Sequence, residues 1–93
     1  MIGFKIAMVR DKSMEPRLPK GSVVLFRSKR RPKRGDTVLA LHPEIGKVVQ
    51  KVSAVGRKGG VHLSAESKKD SDAQSVGRVD RDDVLGVMVR RLA

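Results

Sequence analysis

The stretch DTVLALHPEIGKVVQKVSAV (36–55) decides the fold. Two runs rich in Val and Leu, DTVLALH (36–42) and KVVQKVSAV (47–55), flank a turn signal, HPEIG. Short apolar runs with β-branched residues, separated by Pro and Gly, read as two strands and a tight connection. The pattern continues outward on both sides in GSVVLF (21–26), GVHLSA (60–65) and VLGVMVRRL (84–92). PKG, RPKRGD, GRKGG and SVGRVDRDD punctuate these runs. Together they predict an all-β, mainly antiparallel unit, either a small coiled barrel or a curled sheet. No segment keeps a 3.6-residue period over three turns. Residues 11–19 are expected to form one helical turn capped by Asp11 or Ser13. RDDVLGVM could open helically, although its valines favour a strand.

The chain has 93 residues, which predicts one domain over 1–93. Phe4 and Phe26 are its two aromatic residues, so the core must come from Val, Leu, Ile, Met and Ala. There is no cysteine, which excludes disulfides, thiolate metal sites and a cysteine nucleophile. No apolar run approaches the roughly 18 residues of a membrane span. MIGFKIAMVR lacks the long apolar stretch and small-residue cleavage site of a secretory signal. The expectation is a soluble, cytoplasmic protein without a membrane anchor.

Net charge is +11, from 21 Lys and Arg against 10 Asp and Glu. The distribution is uneven. RSKRRPKR (27–34) places Arg27, Lys29, Arg30, Arg31, Lys33 and Arg34 within eight positions, while 70–83 carries five Asp. A basic strip of this kind suits an acidic protein or nucleic acid, and equally a solvated loop between strands. For nucleic acid, the strip lacks interleaved aromatics for base stacking, and the chain shows no helix-turn-helix pattern. His42 and His62 stand 20 residues apart without ligand spacing and read as surface or strand-end residues. Asp80, Asp82 and Asp83 show no calcium-loop pattern and read as turn residues. VGRKGGV reads as a hairpin connection, not a phosphate cradle. No metal and no cofactor is called for.

The remaining chemistry lies in VRDKSMEPRLPKGSVVLF (9–26), where Ser13 precedes Met14 and a Pro-rich turn. A serine in a turn usually bonds local backbone or water. Its context changes the reading. Val9, Ser13-Met14-Glu15-Pro16, Lys20-Gly21, Arg34-Gly35-Asp36-Thr37-Val38 and the strand Val48–Val52 follow one another in order. In this the chain resembles the S24/S26 superfamily of serine peptidases, the signal-peptidase and LexA-like group. The resemblance runs over about residues 9–91. His42-Pro43-Glu44 stands where small soluble members of the nickel superoxide dismutase maturation protease type have a similar tripeptide.

The resemblance implies a Ser-Lys dyad. Ser13 would attack a peptide carbonyl while a neutral lysine amine takes its proton. Neutrality requires a dry site, because a lysine in water titrates near about 10.4. Two registers remain open. The family's apolar-Lys-Arg-apolar pattern, laid on Val49-Gln50-Lys51-Val52, puts Gln50 at the base and Lys51 at the arginine. A slide of one residue makes Lys51 the base. Side chains alternate faces along a strand, so one step exchanges the site for the opposite face unless a bulge intervenes. Met14 and Pro16 would border the substrate, with Met14 also suited to packing inward. Three departures stand out. Asp11 replaces the usual Gly or Ser near the oxyanion, Asp72-Ala73-Gln74 keeps only the Asp of the family's Asp-Ser-Arg box, and Gly21-Ser22 replaces Gly-Asp.

Three function classes follow. The first is a serine endopeptidase, Ser13 with Lys51, cutting a leader or partner protein that binds as an added strand. The second is a catalytically inactive module that holds an acidic protein or nucleic acid on its basic strip. The third is an accessory β-domain of a larger assembly. The sequence leaves the oligomeric state open, a homodimer included.

Overall fold

The computed structural model describes residues 3–67 and 75–93. Among them lie seven strands: β1 (Phe4–Met8), β2 (Val23–Arg27), β3 (Thr37–His42), β4 (Gly46–Val55), β5 (Val61–Ser64), β6 (Gly77–Val79) and β7 (Val84–Arg91). They form one open, curled sheet in the order β1-β2-β7-β3-β4-β5-β6, with antiparallel pairing throughout. The all-β expectation therefore holds, as a curled sheet. RDDVLGVM does open helically, as a 3-10 turn over Arg81–Asp83 that leads into β7.

The β3–β4 hairpin runs in register from Thr37 opposite Lys51 to His42 opposite Gly46. His42 Nδ1 accepts the N–H groups of Glu44 (3.1 Å) and Ile45 (3.3 Å), so the imidazole closes the turn. Its role is that of a strand-end residue. The second connection expected as a hairpin, 56–60, links β4 to β5, with the Gly56 N–H bonded to Gly60 O at 2.8 Å.

β3 lies between β7 and β4, and Thr37 through Ala40 are all buried. A strand covered on both faces reads as a continuous apolar run, which is what TVLAL provides. Alternation then sorts its side chains into two clusters. Val38 and Ala40 pack with Val48, Val52, Leu63 and Val87 on one face. Leu39 packs with Val49, Phe26, Met14 and Leu18 on the other. Burying each large aliphatic residue contributes about 1.5–3 kcal/mol. Gly86 of β7 is demanded by this packing, since a Cβ there would meet Phe26 Cβ at 2.8 Å and Arg27 O at 3.3 Å.

Two strands escaped the sequence reading. β1 is an edge strand whose inward residue is Ala7, while Phe4, Ile6 and Met8 are exposed. Its larger apolar side chains thus face away from the core, and Lys5 interrupts the run. β6 has three residues, too few for a periodic signal. No helix of the described residues is long and apolar enough to cross a membrane.

Candidate functional site at the Ser13 turn

Residues 9–22 form a looped cover over the second cluster. Val9 is tied to the start of β2 by its N–H to Ser22 O (2.8 Å) and by the Gly21 N–H to its own carbonyl (2.8 Å). Between these ties Met14 and Leu18, both essentially without exposure, enter the core. They are one helical turn apart, and the Leu18 N–H donates to Met14 O at 2.9 Å. The single turn expected at 11–19 is thereby present. Asp11 serves as its cap: Oδ1 accepts the Ser13 N–H at 3.0 Å. Met14 is a core residue by position, and Pro16, which follows a cis peptide bond, is exposed.

Ser13 is 2% exposed. Its hydroxyl donates to Asp11 Oδ1 at 2.7 Å, so one carboxylate oxygen holds both its N–H and its O–H. Its carbonyl accepts the N–H groups of Glu66 (2.6 Å) and Ser67 (2.8 Å), which fixes the turn against the chain leaving β5. Every polar group of Ser13 thus has a protein partner.

The β4 register separates the two residues that compete for the base position. Gln50 stands opposite Val38, and alternation places it with Val48 and Val52 on the first-cluster face. It is 2% exposed, and its Oε1 accepts the Val76 N–H at 3.0 Å. Lys51 stands opposite Thr37 and shares the face of Val49, against which Met14 and Leu18 pack. Its amine does not stay in that packing. The side chain is 45% exposed, and Nζ lies 3.9 Å from Glu66 Oε1. Glu66 Oε2 accepts from Arg17 Nε at 2.8 Å, and Arg17 also donates to Thr37 Oγ1. Among the described residues, no hydrogen bond joins the Ser13 hydroxyl to a lysine amine.

Arg17, Thr37 and Glu66 form a polar bridge that the sequence reading missed. Arg17 and Glu66 are 49 positions apart, and only the return of the chain after β5 brings them together. No local pattern announces such a pair. Asp72-Ala73-Gln74, matched above to the Asp-Ser-Arg box, lies outside the described residues. Among the described residues, no cluster of three or more acidic or imidazole groups is arranged to hold a metal ion.

The basic strip divides along the β2–β3 connection. Arg27 ends β2 and is partly buried, while Lys29, Arg30, Arg31, Lys33 and Arg34 are exposed. The Lys33 N–H donates to Asp36 Oδ2 at 2.8 Å, which closes the turn into β3. Lys29, Arg30 and Arg31 instead border a groove of about 550 Å³ whose other wall is the β4–β5 hairpin.

A buried serine in a Ser-Met-x-Pro turn, set on a curled antiparallel sheet, agrees with what comparison with known proteins finds. The family model described as Peptidase S24-like matches residues 4–89. No curated protein and no solved structure is significantly similar to the chain.

Proposed function

The chain belongs to the Peptidase S24-like family, and from that premise we propose that it uses the peptidase fold to bind a partner and not to cut peptides. The observation that carries this reading is the 2.7 Å hydrogen bond from the Ser13 hydroxyl to Asp11. A serine nucleophile of this family needs a neutral amine as proton acceptor and a site that welcomes negative charge on the substrate oxygen. At Ser13 the acceptor is a carboxylate two residues away. Its negative charge opposes the oxyanion that acyl transfer would create. The two base registers fare no better. Gln50 has no basic nitrogen. Lys51 is 45% exposed with its Nζ 3.9 Å from Glu66 Oε1, while the Ser13 hydroxyl is bonded to Asp11 instead.

One observation favours the competing reading of a Ser13–Lys51 endopeptidase: Lys51 shares the sheet face on which the Met14–Leu18 turn packs. That reading requires Lys51 to leave Glu66 and Asp11 to release the hydroxyl.

The test is covalent labelling. A fluorophosphonate probe is incubated with the protein from pH 6 to pH 10, and Ser13 is followed by peptide mass spectrometry. The binding reading expects no adduct in the native chain. An adduct on Ser13 that disappears in Lys51→Ala would restore the peptidase.

A further inference from the structure

The groove beside the basic strip is built from three separated pieces of chain. Lys29, Arg30 and Arg31 come from the β2–β3 connection, Arg57 and Lys58 from the β4–β5 hairpin, and Arg81 from the 3-10 turn before β7. No acidic side chain lines it. The ion pairs found among the described residues all involve Glu66, which lies at the Ser13 turn, so the six groove cations have no acidic partner there. Such a concentration of charge within one fold is self-repelling, and an anionic ligand is what would relieve it.

Two backbone features present these cations. Gly59 has φ +86°, and a Cβ on it would meet Arg81 Cδ at 2.8 Å. The absence of a side chain there lets the Arg81 stem lie against the hairpin, which brings this arginine to the groove beside Arg57 and Lys58. Lys29 has φ 64°, a left-handed conformation that a residue with a Cβ adopts at some cost. It sits at the point where the chain leaves β2 and turns the strip toward the hairpin.

We infer that this groove binds the phosphate backbone of duplex nucleic acid without reading its sequence. The lining selects the ligand. Four of the six cations are arginines, whose planar guanidinium matches phosphate in a two-point fashion. Neither aromatic residue lines the groove, and Phe26 is fully buried, so no platform exists on which single-stranded bases could stack. Among the described residues, no helix longer than the 3-10 turn is available to enter a major groove, and the β-ribbon at the groove, the β4–β5 hairpin, brings only Arg57 and Lys58 to the lining as polar side chains. A lining of cations without amide or acidic side chains favours contact with phosphates, which positions a protein on a duplex but specifies no base. This inference goes beyond the loss of proteolysis and stands or falls separately from it.

The test uses the full chain and a fluorescent 20-base-pair DNA duplex of mixed sequence, with binding followed by anisotropy. Affinity should fall as salt rises from 50 to 200 mM, with a slope of log K against log salt of about −4, the value for four to five phosphates at about 0.9 each. Two variants of equal charge change separate location from net charge. Arg30→Glu with Arg57→Glu alters the groove. Arg90→Glu with Arg91→Glu alters the far end of β7, six to seven residues from Val84 at the groove and so about 20 Å away along the strand. The groove variant should bind at least about 10-fold more weakly at 100 mM salt, and the β7 variant should stay within about 3-fold of the native chain. Circular dichroism confirms that both retain the fold. Absence of binding at 50 mM salt, or equal weakening in the two variants, overturns the assignment. So does tighter binding of a polyglutamate peptide than of the duplex, an outcome that identifies an acidic protein as the occupant. None of these results depends on Ser13, whose labelling reports on the other reading alone.

Discussion

β4 supports two regions built in contrasting ways. Its middle, Val49 to Lys51, backs the Ser13 turn, and its end at Val55 enters the basic groove. At the Ser13 turn the hydroxyl, amide and carbonyl of the serine all have protein partners, and the neighbouring Met14 is fully buried. At the groove the charged ends are exposed and lack acidic partners among the described residues. A group whose hydrogen bonds are satisfied within the chain contributes to stability and has little to offer a ligand. A charge left facing water does the reverse. The contrast separates the two properties in space: substitutions at the turn should cost stability, and substitutions at the groove should cost binding.

The sharpest way to break this contrast is Met14→Ala. Removing a fully buried side chain from the second cluster is expected to destabilise the fold by about 2–5 kcal/mol, read as a lower midpoint in urea. A change below about 1 kcal/mol would show that the turn is loosely docked. Next is Gln50→Leu, which deprives the partly buried Val76 N–H of its acceptor. The expected cost is about 1–3 kcal/mol, again by urea unfolding. If this variant is as stable as the native chain, the amide at position 50 is kept for something other than structure.

Asp11→Ala should follow with about 1 kcal/mol, since the cap of one turn and the acceptor for the Ser13 hydroxyl are lost together. For a domain of this size that is a fall in Tm of about 4–8 °C. Arg17→Ala removes a partly exposed ion pair with Glu66 and the bond to Thr37, and less than about 1 kcal/mol is expected. Smallest of all is the effect of Arg57→Ala on stability, within about 0.5 kcal/mol, because its exposed side chain belongs to the groove wall. A larger loss there would mean that the groove, too, is a structural element.

Much of the fold was legible because strand formation is announced locally. Val-rich runs between Gly and Pro turns located β2, β3, β4, β5 and β7. β1 was not legible, because Phe4, Ile6 and Met8 face solvent on an edge and Lys5 breaks the run. That Asp11 could cap the turn at Ser13 was readable locally, but not that the same oxygen takes the serine hydroxyl. Asp11 entered as a candidate cap and, by the resemblance, as an obstacle to an oxyanion, and it is found accepting both the N–H and the O–H of Ser13. The competition between Gln50 and Lys51 could be posed but not decided from the chain. Which face of β4 meets the Met14 turn depends on how β3 and β7 are stacked beside it.

By itself, then, the sequence determined the β character, the strand runs around 36–55, the inventory of reactive groups and the excess of positive charge. These follow from side-chain shape, two-residue alternation and composition, which act over a few positions. Only the tertiary structure decided that Lys51 leans out to Glu66, that Gln50 is sealed against Val76, and that cations at 29–31, 57–58 and 81 share one groove. Those outcomes rest on the order of strands in the sheet, which is set by burial of distant segments against one another and leaves no trace in any local stretch of chain.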